Sequence, residues 1–238
     1  VRHPLAAALL LGVLVALPGA AMAQDIAIDL GGENSLTLRT VQIIALLTVL
    51  SLAPGIAITV TCFPFIVTVL SILRQAMGLQ ASPPNMLIIS LAMFLTYFVM
   101  EPVATAAWEA GIGPLTRGEM EAGTAISAAI EPFRAFMAAR VDPDTLAHLQ
   151  DLRPAAEAEN LSVLIPSFLL SEISRAFQIG FLVFMPFLII DMVTAAVLMS
   201  MGMMMVPPAI VSLPFKLAFF VVVDGWTLVS GALVRSYL

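Results

Sequence analysis

The sequence has one cysteine, Cys62, one lysine, Lys216, and two histidines among 238 residues. A lone cysteine excludes an intramolecular disulfide. Two histidines and one cysteine supply no set with metal-ligand spacing. No Gly-rich loop followed by Lys-Ser or Lys-Thr occurs, so a P-loop nucleotidase is excluded. Charged residues make up only 11%, against about 25% in soluble domains. The net charge of −6 offers no basic surface for nucleic acid. Apolar residues are what the chain has instead: 61% hydrophobic and a mean hydropathy of +1.04. That composition places it among membrane proteins.

Arg2 and His3 precede an apolar run over 5–17, which Pro18 and Gly19 end. Ala21-Met22-Ala23 then forms a small-x-small pattern. Residues 1–23 read as a cleavable signal peptide, cut between Ala23 and Gln24. Residues 24–40 read as a short polar segment. The apolar stretch 41–73 is longer than the about 20 residues one span needs. Pro54-Gly55 and Pro64 predict a kinked helix or two helical pieces. Arg74 ends it, 78–82 forms a tip, and Pro83-Pro84 opens a helix predicted to stop near Glu101-Pro102. Residues 41–108 thus form a first helical hairpin.

Residues 109–160 carry nine acids and four arginines and read as a polar, acidic helical insert. Ile126, Ile130, Phe133 and Met137 recur along one face of an amphipathic helix. Asp142-Pro143 reads as an N-cap and first-turn proline, with Leu146 and Leu149 on the buried face of the helix that follows. His148 reads as a surface residue. Residues 161–238 form a second helical hairpin, and Phe177, Phe181 and Phe184 form a packing stripe on it. The predicted fold is all-α and membrane-associated, with two long kinked helical hairpins joined by the insert.

The tip of the second hairpin, Ser200-Met201-Gly202-Met203-Met204-Met205-Val206-Pro207-Pro208, is apolar where loops are normally polar. Gly202 allows a tight turn, and Pro207 and Pro208 suit a helix start. Methionine suits adaptable contact, so Met203, Met204 and Met205 are candidate contact residues. Ala76-Met77-Gly78-Leu79-Gln80-Ala81-Ser82-Pro83-Pro84 matches this stretch without gaps at Met, Gly, Pro and Pro, which suggests an internal repeat. Glu172, Arg175, Asp191, Lys216 and Asp224 are ionisable residues in apolar surroundings, which normally face a partner or water. Glu172 and Arg175 are three apart and can pair on one helix face. Asp191 and Lys216 are mirror positions about the Met203/Met204 tip, so they are expected to bridge the hairpin or neighbouring subunits.

Several of these stretches carry a family resemblance over 41–238. They are Pro83-Pro84-Asn85 with Leu91-Ala92-Met93-Phe94-Leu95-Thr96-Tyr97-Phe98-Val99-Met100; Ser171-Glu172 with Ala176-Phe177-Gln178-Ile179-Gly180-Phe181; Pro186-Phe187-Leu188-Ile189-Ile190-Asp191; Leu198 to Pro208; Leu213-Pro214-Phe215-Lys216-Leu217; and Val223-Asp224-Gly225-Trp226. The chain resembles the FliP family of the bacterial flagellar type III export apparatus. Two departures stand out. Phe65 occupies the position of a usual arginine, beside Pro64. Arg175 stands one position beyond the family's usual basic residue, about 100° around a helix.

The resemblance implies a non-enzymatic pore subunit in the bacterial inner membrane and flagellar basal body, with no cofactor. It implies a homo-oligomer, a pentamer, joined by FliQ-type and FliR-type subunits and assembled with a FliO-type protein. FlhA/FlhB-type export proteins, unfolded export substrates and membrane lipid are the further partners implied. It also implies that the Met-rich tip is a ring that narrows the pore. The alternative is the equivalent subunit of a virulence-type injectisome, which neighbouring genes would distinguish. An intramembrane aspartyl protease would have only Asp191 and Asp224 to use, and a small-solute transporter would fit the repeat but not the resemblance.

Overall fold

The computed structural model describes residues 33–79, 83–153, 160–203 and 205–237. The expected signal peptide, with Ala23 and Gln24, lies outside the described residues, as do Gln80, Ala81, Ser82 and Met204. The chain divides into two units, Val1–Ser51 and Leu52–Leu238.

All described regular structure is helical. Helix α1 (Glu33–Thr59) crosses the unit boundary and keeps Pro54 inside it. The predicted polar segment 24–40 therefore ends within a helix. In the first unit, Val41, Ile43, Ile44, Leu46, Leu47 and Leu50 are all exposed apolar side chains on α1.

In the second unit, α2 (Phe63–Ala76) follows a break at Val60–Cys62, and Pro64 sits in its first turn. The 41–73 stretch is thus two helical pieces, broken just before Pro64 and not at Pro54-Gly55. A first-turn proline is pre-shaped for a helix start because its missing N–H has no partner there anyway. Phe65, Ile66, Val69, Leu70, Leu73 and Ala76 are buried at helical spacing, so α2 is the centre of the core. Its widest packing is against α7 (Leu161–Ser200), and it also packs on α3 (Asn85–Ala107). Gly180 makes the α2–α7 approach possible: a Cβ there would lie 2.4 Å from Ile72 Cδ1.

α3 does not stop at Glu101-Pro102. It passes through Pro102, then a π-helical turn at Trp108–Ile112, then α4 (Gly113–Thr116). A proline inside a long helix removes one hydrogen bond and bends it, which need not end it when flanking turns are well packed. Residues 109–116 therefore continue the apolar rod. α5 (Ala122–Arg140) packs on this rod and on α7. Met137 is buried, Ile130 and Phe133 are half-buried, and Ile126 is exposed at the far end of the predicted face. α6 (Pro143–Asp151) is capped by Asp142, whose side chain accepts from Thr145 N–H at 2.9 Å. Leu146 and Leu149 are half-buried and His148 is exposed.

α7 contains forty residues, with Pro166 and Pro186 inside, and is about 60 Å long. Phe184 packs on the core, but Phe177 and Phe181 face outward. Their stripe therefore faces away from this subunit's core. α8 (Pro208–Val222) packs on α7, with Phe187 ringed by Phe219 and Phe220. α9 (Gly225–Arg235) follows a bend of 61°. Three helical stretches, Arg39–Thr59, Asn85–Thr116 and Leu161–Ser200, are long and apolar enough to cross a membrane, and the bent pair α8–α9 is a fourth candidate.

Candidate functional site

The methionine turn is built by its glycine. α7 ends at Ser200, and Gly202 takes a left-handed φ of +74°. Gly202 N–H donates to Met199 O at 3.0 Å and Met203 N–H to Leu198 O at 3.0 Å. These two bonds make a Schellman closure, which uses up carbonyls that a helix end leaves free. Pro207, in extended geometry, caps α8, and Pro208 is its first residue. Met205 is 97% exposed, and Met199, Met201 and Met203 are also exposed. An apolar groove of about 520 Å³ lies below the turn between α7 and α8, lined by Ile189, Val193, Val197, Met201, Val211 and Phe215 among others.

The turn at Gly78 shares this chemistry. Its φ is +75°, and its N–H donates to Gln75 O at 3.0 Å, the counterpart of the Gly202 bond. α2 and α7 end at matching positions, Ala76 and Ser200. The entry to the next helix differs by one residue: Pro84 caps α3, whereas Pro207 caps α8. The arms before the turns differ more. α2 begins after the break at Val60–Cys62, while α7 is continuous through the matching positions.

Below the turns, Lys216 Nζ lies 2.6 Å from Asp191 Oδ2. Lys216 is 5% exposed. Its ammonium also donates to Ala76 O at 3.1 Å, at the C-terminal end of α2, where a cation complements the helix dipole. Ser212 Oγ donates to Asp191 Oδ1 at 2.5 Å. One lysine therefore joins α7, α8 and the end of α2. Sequence mirror symmetry brought out Asp191 and Lys216. Ser212, four residues before Lys216 on α8, and the Ala76 carbonyl were not expected.

Glu172 centres a second cluster. It is fully buried on α7 and receives Arg175 Nη1 at 3.1 Å and Arg140 Nε at 3.2 Å. Tyr237 Oη also donates to it. Arg140 and Tyr237 were missed by the sequence reading. The signal for Arg140 was present, since it falls three residues after buried Met137 on the same face of α5. Tyr237 has no periodic signature. Phe65, at the usual arginine position, is buried and meets the Tyr237 ring edge-on at 5.4 Å. Burial, then the Glu172 charge, pushes the Tyr237 hydroxyl well above its ordinary pKa, so it stays a donor. On the insert, the Thr145 hydroxyl and N–H hold the Asp142 carboxyl below its ordinary pKa.

Asp224 departs from the expected buried pairing. It is exposed, it forms no ion pair among the described residues, and it adopts a left-handed φ of 50° at the α8–α9 bend. Aspartate tolerates that region better than most residues because its short side chain can bond locally. Here it serves as the residue that turns the chain. Among the described residues, no group of three His, Cys, Asp or Glu side chains converges to hold a metal ion.

Long apolar helices, an outward-facing apolar surface and charges paired inside the helix bundle define a multi-pass integral membrane protein. The FliP family profile matches residues 46–233. The flagellar biosynthetic protein FliP of Caulobacter vibrioides is 54% identical over 227 residues, 93% of this chain and 85% of that protein. Its counterpart in Agrobacterium fabrum is 46% identical over 95% of this chain and 97% of its own. That of Bacillus subtilis is 45% identical over 83% and 92%. The chain belongs to the FliP family, non-enzymatic inner-membrane proteins of flagellar type III export.

Proposed function

We propose that this chain is a pore-forming subunit of the flagellar export gate, passing unfolded flagellar subunits across the inner membrane. In this reading several copies form a ring, a pentamer, with FliQ-type and FliR-type subunits, after assembly on a FliO-type protein. FlhA/FlhB-type export proteins are its further partners. The two turn-bearing helix pairs act as hairpins, and the methionine tip of the second is the gasket. The observation that carries the reading is the nearly complete exposure of Met205 on a turn closed by Gly202 and bounded by Pro207 and Pro208. Such a turn fixes the backbone and leaves long thioether side chains free to adapt.

A ring of these side chains would shed water when empty and close by dewetting, yet mould itself around chains of any sequence. The Lys216 bridge to Asp191 and to the Ala76 carbonyl supports the tip from below. The test is ion conductance of assembled gates carrying Met203→Ala, Met204→Ala and Met205→Ala together. Leakage of small ions should rise while some export persists. Conductance equal to the unchanged protein contradicts the gasket.

A further inference from the structure

Glu172 is fully buried, and its carboxylate is shared by side chains from three separate stretches: α5, α7 and the segment after α9. Two guanidiniums face this one carboxylate, which leaves one positive charge to be accommodated. Arg140 accommodates it in two ways. Its Nη1 donates to the Ser236 carbonyl at 2.6 Å, and its guanidinium carbon stands 4.0 Å from the centre of the Tyr237 ring. A cation over an aromatic face is attracted by the ring quadrupole, more strongly when both are shielded from water. Arg175 Nη2 faces the Arg140 carbonyl at 3.4 Å, at the C-terminal end of α5, so the dipole of that helix helps hold the second guanidinium.

The Tyr237 ring is also enclosed. Phe65 meets it edge-on at 5.4 Å and Phe136 stacks on it at 6.0 Å. The residue pair Ser236–Tyr237 is therefore held by α2, α5 and α7 through a hydroxyl, a carbonyl and an aromatic face. The last turn of α9 fixes their backbone, through Ser236 N–H to Ala232 O at 3.1 Å and Tyr237 N–H to Val234 O at 3.0 Å, but it does not require the contacts to α2, α5 and α7.

We propose that Ser236–Tyr237 is a latch: an intramolecular ligand for a docking site made by Arg140, Glu172, Phe65 and Phe136, which fastens the insert helix α5 to the segment following α9. The latch makes α5 and α9 move together and keeps Glu172 satisfied inside its own subunit. Its hydroxyl and its ring contribute separately. Tyr237→Phe keeps the ring on Arg140 and removes only the bond to Glu172, whereas Tyr237→Ala removes both.

The test uses the full chain in native membranes with its partner subunits. Protease cleavage within α6 and its flanks, residues 141–153, reports release of the insert. Tyr237→Ala should speed cleavage by about tenfold or more, the scale of a lost hydrogen bond to a charged group, and Tyr237→Phe should fall between it and the unchanged chain. Cleavage rates unaltered in both variants overturn the latch. If Tyr237→Ala fails to accumulate, a photoreactive benzophenone side chain at position 237 decides the question. Cross-links within the same chain to peptides from 63–76 or 122–140 support the latch, and cross-links confined to other chains overturn it.

Discussion

At the residue scale, single charges carry disproportionate weight because so few are present. Lys216, the only lysine, holds two oxygens with one ammonium, the Asp191 carboxylate and the Ala76 carbonyl. Lys216→Met leaves the Asp191 carboxylate without its counter-ion. The loss should fall below the about 3–5 kcal/mol of a fully buried pair broken on one side, because the Asp191 side chain is 33% exposed and keeps its bond from Ser212. The double change Asp191→Asn with Lys216→Met should cost less than the two singles added, because the uncompensated charge is gone. Heat-induced loss of the assembled complex, read on native gels, checks both; additive losses would show that the pair is not coupled. Asp142 makes a pH prediction. Its carboxyl is held down by Thr145, so the cap stabilises α6 fully above the ordinary carboxyl pKa of about 3.9 and is lost as pH falls through the lower, folded value. Hydrogen exchange of α6 should accelerate below that range, and Asp142→Ala should remove the dependence; a persisting acid limb would assign it elsewhere. The sequence made Asp191 and Lys216 legible because both are charges in apolar runs, where any ionisable residue is costly. It left Tyr237 hidden, because a tyrosine near a helix end has no such contrast with its neighbours.

At the element scale, turn chemistry was the most legible feature and helix length the least. Gly78 and Gly202 both take the left-handed backbone their sequence context suggested. Pro102, read as a stop, is carried inside a helix that continues through a π turn, because packing on α5 holds the rod together where local propensity alone would end it. At 109, where charge density changes and the insert is expected to begin, the helix passes into the π turn without ending. The two kinds of glycine should respond differently to substitution. Gly202 has open space around it and needs only its backbone angle, so Gly202→Ala should cost about 1–2 kcal/mol from the left-handed penalty, and Gly202→Asn less. Gly180 abuts Ile72, so Gly180→Leu should prevent α2–α7 packing altogether. Expression of folded protein resistant to protease separates the two; equal tolerance of Gly180→Leu and Gly202→Ala would contradict the packing described. Asp224 belongs here too, since its backbone at the bend, and not a charge partner, is what the structure gives it.

At the scale of the whole molecule, the chain exposes far more apolar surface than a soluble monomer carries. Phe94, Tyr97 and Phe98 on α3 and Phe177, Phe181 and Leu182 on α7 all face outward. Composition foretold a membrane protein, but not which apolar faces meet lipid and which meet other subunits, because both environments select the same side chains. Paired charges inside and methionines outside at the tip together suit a subunit whose work is done in an assembly. The tip, in the function we propose, lines the path of a passing chain. A photoreactive side chain at position 205, in a cell whose gate is jammed by an export substrate with a folded plug, tests it directly. Cross-links should run from 205 to the unfolded stretch of the jammed substrate, with far fewer from an outward position such as 181. Cross-links from 205 only to lipid or to neighbouring gate subunits, with the substrate demonstrably in transit, would contradict it.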